Sequence, residues 1–166
     1  MCRHPSESWD LIQLVEIPAF AGMTNVESIF EYSPQAISFM NELSQAIKKT
    51  NGLGLIIDYG YIKNEFKNTL QAIKNHQYAD VLKEAGNCDI TALVDFCTLQ
   101  KIANQNHLQT SLITQKEFLN SLGIEMRRKK LLVGKNIEQQ EQINSAIDRL
   151  IDEKQMGELF KVLVVW

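Results

Sequence analysis

The chain has 166 residues, 45% of them hydrophobic, and a formal net charge of −3, enough for one domain with a real core. Its one basic run, Arg127-Arg128-Lys129-Lys130, is too short to make phosphate neutralisation the main task, which excludes a general nucleic-acid binder. No apolar run nears the ~20 residues of a membrane span, and the three cysteines (Cys2, Cys88, Cys97) lack C-x-x-C spacing, so a disulfide framework and a zinc site are both disfavoured and a reducing cytoplasm fits.

Residues 1–24 differ in character from the rest of the chain. Glu7, Asp10 and Glu16 interrupt what would be the apolar core of a secretory signal, and Arg3 is the single fixed positive charge, so neither a signal peptide nor a mitochondrial presequence fits. Its end, Ile17-Pro-Ala-Phe-Ala-Gly-Met-Thr24, resembles the peptide translated from a dispersed palindromic repeat of bacterial genomes; an ordinary short extension is the alternative. Either reading predicts a loosely held tail, with the domain proper over residues 25–166.

Ser33-Pro34 opens the first helix, Ser as N-cap and Pro at the first helical position, with Ala36, Ile37, Met40, Leu43 and Ile47 as its apolar stripe and Asn51-Gly52 as its stop. Residues 25–32 are too short and mixed to give a good strand before it. Leu53 to Ile57 then reads as a strand buried on both faces, in the middle of a parallel sheet, with Asp58, Tyr59 and Gly60 just past its carboxyl end, where α/β sheets place their sites. A polar loop comes next over Ile62–Asn68, then a weak strand at Thr69–Ile73, with His76 and Asp80 in the next loop. Asp89-Ile-Thr91 leads to Asp95, which can cap a helix bearing Phe96, Leu99, Ile102 and Ala103. His107–Ile113 reads as a strand. Thr114-Gln-Lys-Glu117 is a capping box for a helix closed by Gly123, and the basic run lies on the next helix as a solvated face. Residues 137–153 give an amphipathic helix, and Met156-Gly157 turns into a final strand at Leu159–Val165. The class is one α/β unit without repeats.

Few patterns carry chemistry. Gly52-x-Gly54 precedes its strand, whereas a phosphate-cradling loop comes after a strand and opens a helix, so it is rejected. His76, His107, Cys88 and Cys97 match no ligand spacing, and no metal is expected. A serine hydrolase would need a G-x-S-x-G elbow, which is absent from the sequence. Asp58 is the best single candidate, against an equal chance of binding backbone amides; for Asp89, Thr91 and Asp95, capping is slightly favoured.

From about Val26 to Val165 the chain resembles the C-terminal part of the MidA family of class I S-adenosylmethionine-dependent methyltransferases, which includes a mitochondrial protein-arginine methyltransferase that assists assembly of respiratory complex I. The matching phrases are Ser33-Pro34, Ile57-Asp-Tyr-Gly60, Thr69-Leu-Gln71 with His76, Asp89-Ile-Thr91, Val94-Asp-Phe96, Thr114-Gln115 with Phe118-Leu119, Leu122-Gly-Ile124 and Met156-Gly-x-x-Phe160. Tyr61 departs from the family, which usually has histidine after Asp-Tyr-Gly. The resemblance implies the C-terminal half of a Rossmann-like methyltransferase sheet, incomplete, with Asp58, Tyr59, Gly60, His76, Asp89, Thr91, Asp95 and Phe96 as substrate-side candidates. It also implies S-adenosylmethionine as the intact family's cofactor, held by a glycine-rich turn and a downstream acid in the N-terminal half. Residues 1–166 contain no strand, glycine turn and helix in that order, so no cofactor is expected on this chain alone.

The expected function is therefore a truncated family member, silent alone, or else a subunit that docks on a separately encoded N-terminal half. Arginine of a protein is the acceptor that the resemblance implies, with a cytoplasmic location in bacteria and a mitochondrial one for eukaryotic members. A missing neighbour for Leu53–Ile57 would leave an apolar strand edge prone to self-association.

Overall fold

A computed structural model of the chain describes residues 13–16, 29–63, 68–83 and 86–166. β1 (Gln13–Glu16) pairs antiparallel with β2 (Ile29–Tyr32), Gln13 opposite Tyr32 and Glu16 opposite Ile29. Strand at 29–32 corrects the expectation that this stretch forms none: cross-strand pairing supplies what local propensity does not. The rest of the presumed tail lies outside the described residues. β2 forms a two-stranded sheet with β1 and gives the main sheet no strand.

α1 (Pro34–Thr50) starts as its sequence dictates. The Ser33 side chain accepts from the Ala36 amide at 3.3 Å, Pro34 occupies the first turn, and Asn51 closes the helix in the left-handed region at φ 48°. Lys48 and Lys49 lie in the last turn, where positive charge suits the helix dipole.

The main sheet has the order β7-β3-β9-β8, formed by β3 (Gly54–Tyr61), β7 (Val94–Asp95), β8 (Thr110–Thr114) and β9 (Phe160–Val165). β3 runs antiparallel to β9 from Gly54↔Val165 to Tyr59↔Phe160, and parallel to β7 at Gly60↔Val94 and Tyr61↔Asp95. β8 and β9 are antiparallel, Thr110 opposite Val165. Two expectations for β3 fail here. Its long partner is antiparallel, and Leu53, Leu55 and Ile57 are 65%, 48% and 44% exposed rather than buried on both faces. Antiparallel neighbours alternate, so Ile56 and Leu163 face α1 while Leu55 and Ile57 face away, where no described element covers them.

The covered face is closed by α1 and α2 (Phe96–Gln105). Met40, Ile47, Phe96, Leu99, Leu163 and Val165 meet there in one buried cluster. On the opposite side of β8 and β9 sit α3 (Gln115–Ser121) and the short α6 (Met156–Leu159), with α5 (Ile137–Ile151) packed on those two helices and α4 (Ile124–Leu132) against α5. The Thr114–Glu117 capping box forms as read, and the Gln115 side chain donates to the Leu150 carbonyl at 2.8 Å. Arg128, read as part of a solvated face, is instead largely covered and bridges Asp148 at 2.7 Å.

A three-stranded sheet, β5-β4-β6, is inserted between β3 and β7. It comprises β4 (Gln71–Lys74), β5 (Gln77–Ala79) and β6 (Asp89–Thr91), both neighbours antiparallel to β4. The hairpin between β4 and β5 turns on Asn75 and His76, both at positive φ (50° and 62°), which suits the twist of a two-residue hairpin loop. β5 and α6 were not foreseen. His107, expected to begin a strand, adopts φ 61° in the turn after α2, and β8 begins at Thr110.

Candidate functional site

The parallel contact of β3 with β7 creates the one place among the described residues where two strands end side by side. Gly60 makes it possible. A Cβ at Gly60 would lie 2.3 Å from the Val94 carbonyl oxygen and 2.7 Å from the Phe96 ring, so a side chain there would force the strands apart. Next to it, Tyr61 is half-buried beside Asp95, Glu31 and Cys97. Burial, and then the negative charge of Asp95 and Glu31, push its phenol up to about 12.

Polar side chains tie this end of the sheet together. Glu31, from β2, accepts from the Thr69 amide at 2.5 Å, the Thr69 hydroxyl at 2.6 Å and the Leu70 amide at 3.1 Å. The Thr69 hydroxyl oxygen in turn accepts from the Leu93 amide at 3.0 Å, just before β7. The Cys97 thiol donates to the Ile62 carbonyl at 2.7 Å. Glu31 thus ties β2 to the segment that enters the inserted sheet, Thr69 ties that segment to the one before β7, and Cys97 ties α2 to the segment that leaves β3.

The eight residues singled out from the sequence fall into three groups. Gly60, Asp95 and Phe96 come together at the β3–β7 contact. Asp95 is the N-cap of α2, accepting from the Thr98 amide at 3.1 Å and from the Thr98 hydroxyl at 2.6 Å, and Phe96 is fully buried in the core rather than facing a substrate. Asp58 and Tyr59 lie within β3, not beyond it, because the strand continues to Tyr61. The Asp58 carboxylate accepts from the Tyr59 amide at 2.8 Å, and Tyr59 packs edge-on against Phe160 with ring centroids 5.6 Å apart. Lys161, opposite Asp58 on β9, is buried, donates to the Glu158 carbonyl, and has its amine pushed down by that burial. His76, Asp89 and Thr91 belong to the inserted sheet: His76 at the exposed hairpin tip, Asp89 opposite Ile73 and Thr91 opposite Gln71. Glu31 was missed, and Cys97 was weighed only as a metal ligand. Nothing in their local sequence marks them, since their partners lie 38 and 35 residues away. Among the described residues no group of three or more His, Cys, Asp or Glu side chains could hold a metal ion, and no helix is long and apolar enough to cross a membrane.

A mixed sheet packed between α1 and α2 on one side and α3 and α6 on the other defines an α/β protein. The family model described as "Putative S-adenosyl-L-methionine-dependent methyltransferase" matches residues 9–114, and the chain belongs to that family. Among curated proteins it is similar to the mitochondrial protein arginine methyltransferase NDUFAF7. The Danio rerio protein is 34% identical over 135 residues, covering 81% of this chain and 32% of the relative. The Homo sapiens protein is 36% identical over 131 residues, covering 78% and 30%. The chain therefore spans about a third of the length of these relatives. Two solved structures from Burkholderia thailandensis share its fold at 24% identity. An uncharacterized protein gives a TM-score of 0.73 over 87% of this chain and 40% of its own. A second, bound to S-adenosyl-homocysteine, gives 0.71 over 87% and 39%.

Proposed function

We propose that this chain is the C-terminal, substrate-side part of a methyltransferase of this family, and that alone it neither holds S-adenosylmethionine nor transfers a methyl group. The observation that carries the reading is the order of elements around the paired glycines. Gly52 comes after α1 and Gly54 begins β3, so the glycines lead into a strand instead of joining a strand to a helix N-terminus, where a nucleotide-type loop belongs. A match to about a third of the relatives agrees with this.

The relatives' name supplies the reaction class, methyl transfer to arginine of a protein. Transfer from a sulfonium depends mainly on positioning a desolvated nucleophile in line with the methyl, so carboxylates that orient a guanidinium would suffice. Asp95, beside the phenol of Tyr61 at the strand ends, fits that role better than Asp58, which lies inside β3, or Asp89, on the inserted sheet. The second reading, a subunit that docks on a separate cofactor-binding half in the cytoplasm, is favoured by one observation: the outer side of β3 before Gly60 has no partner among the described residues.

Calorimetric titration of S-adenosylmethionine into the purified chain tests the proposal. No binding heat is expected. Micromolar binding would overturn it and require a cofactor site within residues 1–166.

A further inference from the structure

Among the described residues, β3 has a backbone edge without a partner. From Gly54 to Tyr59 it pairs on one side with β9, and on the other its nearest described neighbour, β7, begins at Gly60. Along this edge lie Leu53, Leu55 and Ile57, each more than two-fifths exposed. No proline, lysine or bulge interrupts residues 54–59, so of the devices that keep edge strands apart only one charge, Asp58, is present.

We propose that this edge pairs with the same edge of a second copy of the chain, antiparallel about a two-fold axis through Ile56. The segment is self-complementary about that residue. Leu55 of one copy opposes Ile57 of the other, and Asp58 opposes Gly54, so no like charges meet. Gly54 lies under the last turn of α1, where a Cβ would be 2.9 Å from Ile47. The Asp58 carboxylate of the second copy thus arrives beside the turn that carries Lys48 and Lys49. β7 fixes the register: it already occupies this edge at Gly60 and Tyr61, so an axis at Ile57 would set Gly54 against the occupied Gly60. An axis at Asp58 would also oppose the two carboxylates, which is unfavourable for directly facing residues. The product is a continuous sheet across both copies, with Leu55 and Ile57 of each forming one apolar row. This association does not rest on the methyltransferase reading.

Sedimentation of the full chain tests it together with two double variants, L55K/I57K and L55E/I57E. Each variant sets like charges directly opposite one another twice in the proposed register, and each changes side chains that already meet solvent, so the fold is checked by its melting curve. The wild type is expected to sediment as a dimer at micromolar concentration. Each variant is expected to be a folded monomer, and an equal mixture of the two to dimerise again through Lys–Glu pairs. In a parallel experiment Leu55→Cys chains mixed with Ile57→Cys chains should cross-link on oxidation, whereas Leu55→Cys alone should cross-link far less. A wild type that stays monomeric, its edge held for a strand of another polypeptide, overturns the proposal. So does a dimer that survives the lysine pairs, or a charge-paired mixture that stays monomeric.

Discussion

A single methyl group at Gly60 tests whether packing dictates the end of the Asp58-Tyr59-Gly60 triplet. In Gly60→Ala the new Cβ would stand 2.3 Å from the Val94 oxygen and 2.7 and 2.8 Å from two carbons of the Phe96 ring. Carbon–oxygen contacts settle near ~3.3 Å and carbon–carbon contacts near ~3.5 Å, so β7 must withdraw by about 1 Å. Phe96 is fully buried and has no space to swing into. Overpacking of this kind costs roughly 1–3 kcal/mol, and parting the Gly60–Val94 bridge adds about 1 kcal/mol, giving about 2–4 kcal/mol in all. With a urea m-value of ~2 kcal/mol per M, the middle of the usual range, the unfolding midpoint should fall by about 1–2 M. Gly86→Ala is the control, since Gly86 is at φ 84° with nothing within 4 Å, and it carries backbone strain without a clash. Phe96→Leu in the Gly60→Ala background should restore only part of the loss, because the carbonyl contact remains. A Gly60→Ala midpoint within error of wild type would refute the packing account and return Gly60 to the residues kept for substrate.

Two further outcomes test the clamp at the strand ends. Glu31→Ala leaves the Thr69 and Leu70 amides without their acceptor, so stability should fall by about 1–3 kcal/mol and hydrogen exchange at both amides should accelerate; unchanged protection would show that the carboxylate does not hold the loop. Tyr61 gives a pH signature. Burial, then Asp95 and Glu31, raise its pKa from 10.0 to about 12, so the unfolded chain releases this proton before the folded one does. Its contribution to stability is complete below pH 10 and is lost as pH rises from 10 towards 12. Tyr61→Phe should flatten that part of the urea-midpoint curve, and superimposable curves for the two proteins would rule the effect out.

What the sequence made legible was local. Ser33-Pro34, the Thr114–Glu117 box and Asp95 each announce a helix start through bonds that span three residues, and all three form. The pairing of β3 with β9 was not legible, because it joins segments about a hundred residues apart and a short apolar run is compatible with parallel or antiparallel neighbours alike. β2 was overlooked for the same reason, its partner β1 lying in the stretch set apart as a tail. Phe96 shows the opposite error. A motif phrase brought it among the site candidates, while its burial places it in the core beneath Gly60. The hairpin at Asn75-His76 carried only half of its usual signal, since histidine stands where glycine would normally mark a turn with two positive φ values.

The structural and the substrate-side readings of Asp95 are compatible. A carboxylate offers about four acceptor positions, and the α2 cap uses two of them, one for the Thr98 amide and one for its hydroxyl. Capping also fixes the rotamer, so the remaining lone pairs are held in a set direction beside Tyr61 without further entropy loss. Glu31 is different. It accepts from three donors of the Thr69–Leu70 loop, which leaves it little capacity for a ligand and makes it a strut for the inserted sheet. The two carboxylates at this end of β3 therefore differ in what they have left: Glu31 is taken up by the loop, whereas Asp95, oriented by its helix, keeps the free acceptor positions that the proposed substrate-side role requires.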